Sequence, residues 1–507
     1  MTSTQIGMTT IVAIYLVVCL VVGTYVGRSR KQQKTTGTFL RDYFMGSRSM
    51  GGFVLAMTLV ITYTSAGSFL GGPGLSVTRG LTQTFIAVAQ VGTAFICLGI
   101  IGKKFGLISR KINAVSVSDF LRARYKSEAV IAISSIAMIA FFVTQGTAQF
   151  IGGGVLFETI TGLSYTTGLI IFGAVVIIYS TFGGFKGVVI TDVIQGIVMV
   201  TGSFMIIIFA LNASGGLVNI TDWFNANVPY WYIPGQRGTF GPIDRPGFII
   251  TQSWVLVGIA TLGLPQNTVR SMGFKSTHDL HKAMLYGTFV VGILMVGMHF
   301  GGFLLAPTIP AGHGMTTDHF VPFFASNHMP AGLAGLMLAA PLAAIMSTVS
   351  SLMILAAANV IKDLYLNYLA PKDVDKNSDG FRKSVSRASM IVTCLLGIAM
   401  LIISLNPPDV IVWINLFALG GLQATFFWPT LLGLYWPKAS TKGCLASMVV
   451  GIAVFIFFNR NPALRPFGLH EITVGLAAGG LAFWLVSKFA NEQLDKATKY
   501  VFYGIKE

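Results

Sequence analysis

The chain of 507 residues is 53% hydrophobic and only 10% charged, and its mean hydropathy is +0.73. These values exclude a soluble domain and predict a polytopic membrane protein. The formal net charge is +16, but the basic residues lie between apolar segments. We therefore expect the lipid bilayer, and not nucleic acid, as their partner.

The first apolar run, residues 9–26, has no basic residue before it and a basic cluster after it. This order is the reverse of a secretory signal and predicts an uncleaved spanning helix that starts outside the cell. Apolar segments long enough to cross a bilayer then recur along the whole chain. About thirteen spans are predicted, at residues 9–26, 51–73, 81–101, 128–150, 165–183, 188–211, 248–270, 284–306, 330–360, 388–405, 410–436, 443–459 and 470–488.

The distribution of Lys and Arg between these spans predicts the orientation of the protein. With the N-terminus outside, the segments assigned to the cytoplasm hold all of the 34 basic residues except Arg79, Arg237, Arg245, Arg460 and Arg465. This asymmetry follows the positive-inside rule. We therefore predict an N-terminus outside, a C-terminus inside and a location in the cell membrane.

Two predicted spans are interrupted by glycine and proline. The second contains Gly71-Gly-Pro-Gly74, and the seventh contains Gly258, Gly263 and Pro265. The two lie five helices apart, and an odd offset means opposite orientation. This arrangement is typical of an inverted repeat whose binding site lies where the broken helices cross.

A serine and a threonine, Ser347 and Thr348, stand side by side in the ninth apolar segment. Such a pair commonly bonds back to its own helical turn. Alternatively, the two hydroxyls join the carbonyl of Ala344, one turn away, and the free carbonyls of the broken second helix in an oxygen cage. Oxygen ligands of this kind suit a hard cation such as sodium.

The sixth predicted span carries an acidic residue, Asp192, near its cytoplasmic start, with no basic residue beside it in the sequence. A carboxylate at that depth is costly, so a functional role is the default interpretation. The alternative is a carboxylate stabilised by the helix dipole at a helix N-terminus. His299, inside the eighth segment, is interpreted as a packed polar residue.

These segments resemble the sodium:solute symporter family over essentially the whole chain. The residues that carry the resemblance are Gly71-Gly-Pro-Gly74, Phe182-Gly-Gly-Phe185 followed by Thr191-Asp-Val-Ile-Gln195, Gly263-Leu-Pro265 with Arg270, and Ala343-Ala-Ile-Met-Ser-Thr348 followed by Lys362-Asp-Leu-Tyr365. The resemblance implies an all-α membrane protein with a LeuT-like core of two inverted five-helix repeats.

The implied segments are an extra N-terminal helix with a basic loop, two repeats separated by an extracellular loop, and two C-terminal helices with a short tail. Their expected ranges are 1–50, 51–211, 212–247, 248–437 and 438–507. The resemblance also implies a sodium site in which the carbonyls of Ile61 and Thr64 join Ala344, Ser347 and Thr348. It places Asp192 on the route by which sodium leaves.

The implied activity is sodium-coupled import of a small carboxylate, with no obligate protein partner indicated. The likeness is greatest to the pantothenate branch of the family, at Thr36–Leu40, Tyr43-Phe44, Gly46–Gly52, Phe69–Gly74, Gln149–Gly153 and Leu338–Pro341, which favours pantothenate. Proline, sialic acid and monocarboxylates remain alternative substrates. The residues expected at the substrate pocket are Tyr63, Ser65, Gly67, Ser68, Gln90, Gln149, Trp254, Thr261 and Gln423.

Other classes of function are less consistent with the sequence. A membrane enzyme needs clustered His, Asp or Cys within the spans, and a channel needs a pore loop or a ring of charge. Neither pattern occurs. A ligand sensor on a transporter scaffold usually has a soluble output domain, which the short tail does not provide. Proton coupling in place of sodium coupling stays open at this point.

Overall fold

The computed structural model describes residues 2–28, 48–228, 231–232, 246–312, 314–370, 378–407, 410–490 and 492–505. The part described is helical throughout, apart from one isolated bridge between Met50 and Phe274. Three parts of the prediction lie outside the described residues. They are the basic loop after the first helix, the part of the 212–247 loop that contains Arg237 and Arg245, and the resemblance at Thr36–Leu40 and Tyr43-Phe44.

Eleven described helices are long and apolar enough to cross a membrane, and two bent pairs raise the number of spans to thirteen. We label these spans α1 to α13. In chain order they are Ser3–Arg28, Gly52–Tyr63 with Gly67–Arg79, Leu81–Lys111, Glu128–Thr161, Tyr165–Phe185, Gly187–Ala213, Gly247–Gly263 with Pro265–Ser271, Thr277–Leu304, Ala331–Leu369, Asp379–Ser404, Ile411–Tyr435, Thr441–Arg460 and Glu471–Phe489.

Each of the thirteen predicted segments therefore corresponds to one helix or one bent pair. Several helices run further than their apolar cores, since the fourth continues to Thr161 and the ninth to Leu369. Short helices flank the spans, at Val117–Tyr125, Leu217–Asn227, Phe320–His328 and Lys496–Tyr503. The last of these lies in the short tail that follows α13.

The ninth span, α9, lies at the centre of the protein. Its most apolar 18 residues are all buried. It packs against α1, α2, α4 and α10 and against the α5–α6 pair. The hairpin of α12 and α13 lies beside α11, away from α9. A helix that neighbouring helices surround in this way can hold polar groups away from lipid.

The chain turns sharply in α2 and α7, by 73° and 52°. In α2 the turn is at Thr64, whose φ of −75° and ψ of 142° are extended. The prediction that Gly71-Gly-Pro-Gly74 forms the break is wrong, because helix continues through these residues. Pro73 lies inside this continuous helix, just after the π-helical segment Gly67–Gly71.

The glycines of this stretch instead allow close packing. A Cβ on Gly74 would lie 2.0 Å from the carbonyl oxygen of Thr317, and one on Gly72 would lie 2.2 Å from Nε2 of His299. On the other side of the contact, a Cβ on Gly302 would lie 2.2 Å from the carbonyl oxygen of Pro73. The outer half of α2 is thus held tightly against α8 and against the loop that contains Thr317.

In α7 the turn is at Leu264, where the backbone is extended (φ −78°, ψ 116°), and Pro265 begins the second half of the helix. Between α5 and α6 the chain kinks at Gly184, whose φ of 56° is in the left-handed region that favours glycine. These irregular backbone segments are buried among other helices, which is where such segments are tolerated at membrane depth.

Candidate functional site

Five oxygen atoms meet where the break in α2 touches the middle of α9. The hydroxyl oxygen of Thr348 lies 2.5 Å from the carbonyl oxygen of Thr64 and 2.8 Å from that of Ala344. The hydroxyl oxygen of Ser347 lies 3.0 Å from the Ala344 carbonyl and 3.4 Å from that of Ile61. The structure therefore brings together all five residues of the predicted sodium site.

This cluster is rich in acceptors and poor in protons. Each hydroxyl has one proton and two carbonyl neighbours, and the Ile61 carbonyl also receives a hydrogen bond of 3.0 Å from the Thr64 hydroxyl. Thr64, Ser347 and Thr348 are all at most 1% exposed. Lone pairs that converge in a dry site are suited to a small hard cation. The break in α2 supplies the carbonyls because helical pairing stops there.

A buried charged pair, Asp192 and Arg270, lies beside this cluster. Thr58 donates a hydrogen bond of 2.7 Å to Oδ2 of Asp192. Arg270 interacts electrostatically with Asp192 and donates hydrogen bonds to Thr62 at 2.9 Å and to Ser351 at 2.7 Å. No basic residue is adjacent to Asp192 in the sequence, but the fold brings Arg270, 78 positions away, close enough to interact with it electrostatically.

The pair lies close to the oxygen cluster along both helices. Thr62 follows Ile61 in α2, and Ser351 is one helical turn beyond Ser347 in α9. Oδ1 of Asp192 has no hydrogen-bond partner among the described residues. Asp192 lies in the second turn of α6, beyond the kink at Gly184. Its environment is therefore set by its interactions with Thr58 and Arg270, and it does not cap the helix N-terminus.

A cavity lies on the other side of the α2 break. Six of the predicted pocket residues line it, namely Tyr63, Ser65, Gly67, Ser68, Gln90 and Thr261. Four polar residues that were not predicted at the substrate pocket line it as well, namely Gln83, Gln252, His299 and Asn415. Its apolar wall is formed by Ile86, Val257, Val412, Leu416 and Leu419. Polar groups and apolar surface together are typical of a site for a small organic molecule.

Three predicted pocket residues do not line this cavity. Trp254 points outward and is 52% exposed. Gln423 is fully buried and donates a hydrogen bond of 2.8 Å to the Leu256 carbonyl, so it holds α7 against α11. Gln149 accepts a hydrogen bond of 2.7 Å from the Ala66 backbone and donates one of 3.3 Å to Asn415. Gln149 and Gln423 thus fix helices in place, and Trp254 faces outward.

The contact of Gln149 also changes the interpretation of the helix break. Free amide groups at the start of a helix are well suited to bind an anionic group. The Ala66 amide is instead capped by Gln149, and those of Ser68 and Phe69 donate to the Ser65 carbonyl, at 2.9 and 3.1 Å. The hydroxyls of Ser65 and Ser68 and the amide of Asn415 remain as donors at the cavity.

The arrangement of a broken α2, a central α9 and an acid on α6 can be compared with known proteins. The model of the sodium:solute symporter family matches residues 43–451. The chain belongs to the sodium:solute symporter family. It is therefore a sodium-coupled solute symporter and a multi-pass membrane protein, and it is not an enzyme.

Curated relatives support the same assignment over nearly the full length. The chain is 40% identical to the sodium/pantothenate symporter of Escherichia coli (strain K12), over 94% of this chain and 95% of the relative. It is 40% identical to the sodium/pantothenate symporter of Haemophilus influenzae, over 92% and 93%. The sodium/proline symporter of Staphylococcus aureus is 28% identical, over 95% and 92%.

Solved structures show the same fold. A Na⁺-coupled sialic acid symporter in a substrate-bound, outward-open state matches with a TM-score of 0.77 and 21% identity, over 96% of this chain and 99% of the other. The nucleobase-cation-symport transporter Mhp1 in a closed conformation matches with a TM-score of 0.55 and 15% identity, over 91% and 98%. The all-helical fold with 11 to 13 spans is thus one shared with LeuT-fold transporters.

Proposed function

We propose that this protein imports pantothenate together with sodium. The observation that carries the sodium part is the cluster of five buried oxygens between the break in α2 and the middle of α9. The substrate part is supported by 40% identity to two sodium/pantothenate symporters over more than nine-tenths of this chain and by a cavity of mixed polarity beside the same break.

In this proposal sodium is bound by the carbonyl oxygens of Ile61, Thr64 and Ala344 and by the hydroxyls of Ser347 and Thr348. All five ligands are neutral, so the site attracts the ion through dipoles alone. Because the ligands come from α2 and α9, bound sodium draws these two helices together. The same break in α2 supplies Ser65 and Ser68 to the cavity, so binding of the ion organises the substrate pocket.

We further propose that Asp192 guides the ion toward the cytoplasm. Asp192 is the acidic residue of α6, and its Oδ1 has no hydrogen-bond partner among the described residues. Arg270 balances its charge while no ion passes. As sodium leaves the cage, the carboxylate offers it a next ligand. Arg270 stays tethered to Thr62 and Ser351.

The proposed architecture is two inverted repeats, residues 51–211 and 248–437, with α1 added before them and α12 and α13 after them. The N-terminus faces outward and the C-terminus inward, as the positions of Lys and Arg predict. Substrate and sodium bind together from outside, and the helices then rearrange to open the site inward.

The drive for uptake depends on how many ions accompany the substrate. Pantothenate carries one negative charge, so one sodium makes the cycle electroneutral, and additional sodium makes it sensitive to voltage. Each net charge that crosses 100 mV contributes about 2.3 kcal/mol. Imposing a potassium diffusion potential on vesicles therefore distinguishes the two cases.

The experiment that tests the proposal is uptake of labelled pantothenate into vesicles, with sodium present or replaced by choline. Uptake should require sodium, and unlabelled pantothenate should compete more strongly than proline, sialic acid or short monocarboxylates. If pantothenate neither accumulates nor competes while another acid does, the sodium cage stands and the substrate assignment fails.

A further inference from the structure

Three hydrogen-bond acceptors line the cavity and have no hydrogen-bond partner among the described residues. The side chains of Gln83, Gln252 and His299 are 3%, 2% and 4% exposed, so water reaches them poorly. All three come from helix ends on the Arg79 side of the cavity, at the start of α3, the start of α7 and the end of α8. The Oε1 atoms of Gln83 and Gln252 are fully buried. Because a buried acceptor left unpaired is costly, acceptors that share one cavity indicate a ligand that supplies donors.

The two glutamines provide carbonyl acceptors. Oε1 of Gln83 and Oε1 of Gln252 have no hydrogen-bond partner within the described ranges. They belong to different helices, α3 and α7, yet both border the same space. Gln149 differs, because its Oε1 accepts a hydrogen bond from Ala66. Gln266 and Gln423 also have an Oε1 without a partner among the described residues, but neither of them lines the cavity.

His299 provides an acceptor through its ring nitrogen. Nδ1 lies 2.8 Å from the carbonyl oxygen of Met295, one turn earlier in α8. A carbonyl only accepts, so Nδ1 carries the hydrogen, and in the neutral ring Nε2 is left as an acceptor. Nε2 lies against Gly72, whose lack of a side chain keeps that nitrogen at the cavity.

The chemistry of pantothenate matches this set. Its acyl half carries two hydroxyls and one amide N–H, which are three donors, and its other end is a carboxylate. We propose that Gln83, Gln252 and His299 accept hydrogen bonds from these three donors and so select hydroxylated acyl amides over simpler acids. This inference rests on the proposed function, because it assumes that pantothenate occupies this cavity.

The other lining residues are chemically complementary to the remaining groups. Ser65, Ser68 and Asn415 are the donors available to a carboxylate, and they lie around the break in α2. Ile86, Val257 and Leu416 form apolar surface, which suits the two methyl groups of the acyl half. A monocarboxylate or proline engages the donors near the break but leaves the three acceptors unpaired.

The size of the effect follows from single hydrogen bonds. One bond is worth about 0.5–1.5 kcal/mol, which corresponds to roughly 2- to 12-fold in affinity. An analogue that lacks the terminal hydroxyl, the secondary hydroxyl or the amide N–H should therefore compete more weakly than pantothenate by that factor. Loss of all three donors should multiply these factors, because sites built to bond a group reject analogues that lack it.

The test combines these three analogues with Gln83→Leu, Gln252→Leu and His299→Leu in the full-length protein. Each variant should raise the KM for pantothenate by roughly 2- to 12-fold. Each should also abolish the preference for pantothenate over one particular analogue, because the acceptor for that donor is gone. His299→Gln restores an acceptor and should recover the preference in part.

Gln266→Leu is the matched control, since Gln266 is buried, has an unpartnered Oε1 and does not line the cavity. It should leave the ranking of the analogues unchanged. The inference is overturned if all three Leu variants weaken every analogue equally, or if none changes the ranking while wild type takes up pantothenate. Failure of wild type to take up pantothenate overturns the proposed substrate as well.

Discussion

Thr348 offers the most direct test of the oxygen cluster, through the variants Thr348→Val and Thr348→Ser. Valine has nearly the shape of threonine and the same branching at Cβ, so the helix is retained, but the hydroxyl between the carbonyls of Thr64 and Ala344 is lost. Serine keeps that oxygen. The pair of variants therefore separates the ligand from the packing.

The expected magnitude follows from the loss of one ligand to a charged group in a fully buried site. Hydrogen bonds and similar contacts to charged groups are worth about 1.5–3 kcal/mol. At about 1.4 kcal/mol for each factor of ten, the sodium concentration for half-maximal uptake should rise about 10- to 150-fold in Thr348→Val. Thr348→Ser should stay within about threefold of wild type, which corresponds to less than ~0.7 kcal/mol.

The assay is uptake of labelled substrate into proteoliposomes over a series of sodium concentrations, normalised to the amount of protein inserted. At saturating sodium the rate of Thr348→Val should recover most of the wild-type value, since the cage is weakened and not removed. Equal sodium dependence of Thr348→Val, Thr348→Ser and wild type would remove this cluster from the mechanism.

Three further predictions concern the surroundings of the site. Asp192→Asn should slow turnover while sodium-dependent substrate binding survives, as shown by measuring substrate binding and transport in the same variant. Near-normal turnover would refute a role in ion release. Arg270→Met leaves the Asp192 carboxylate without its buried counter-charge and should cost about 3–5 kcal/mol of stability, measured as a lower melting temperature in detergent. Adding Asp192→Asn should recover part of that loss. If the stability losses of the two substitutions simply add in the double variant, the pairing is contradicted. Gly74→Ala places a Cβ 2.0 Å from the Thr317 carbonyl oxygen and should destabilise the protein by about 1–3 kcal/mol. The control Gly332→Ala, whose Cβ has nothing within 4 Å, should not change stability. Equal melting temperatures of the two variants would contradict the close packing at Gly74.

The spans themselves could be predicted because the bilayer imposes a length and a polarity on each helix. Helix ends were harder to predict, since Glu128–Thr161 and Ala331–Leu369 run past their apolar cores. The position of the break in α2 was misjudged for a physical reason. Gly71 and Pro73 look like helix breakers, but helix continues through them, and glycine here allows close packing.

The oxygen cluster followed from the adjacent hydroxyls Ser347 and Thr348 together with the family resemblance, and all five expected residues meet. The substrate cavity followed only in part. Polar residues within apolar runs were a signal for Gln83, Gln252, His299 and Asn415 too, but which side of a helix they face was not readable from spacing.

Irregular helix explains that difficulty for His299. The π-helical segment Gly292–Val296 precedes His299 in α8. Each such segment adds a residue to a turn and rotates the following side chains by about 100° relative to a regular helix. Periodicity counted at 3.6 residues per turn therefore assigns the wrong face beyond them. The pairing of Asp192 with Arg270 depends on tertiary packing and leaves no local pattern.

The central claim is that sodium and pantothenate cross together through the site at the α2 break. Parallel measurement of labelled sodium and labelled pantothenate uptake in the same proteoliposomes tests it most directly. Each solute should stimulate entry of the other, because coupling between two bound ligands is reciprocal, and Thr348→Val should weaken both effects together at low sodium. Pantothenate entry that is indifferent to sodium, or sodium entry that pantothenate does not change, would contradict the account.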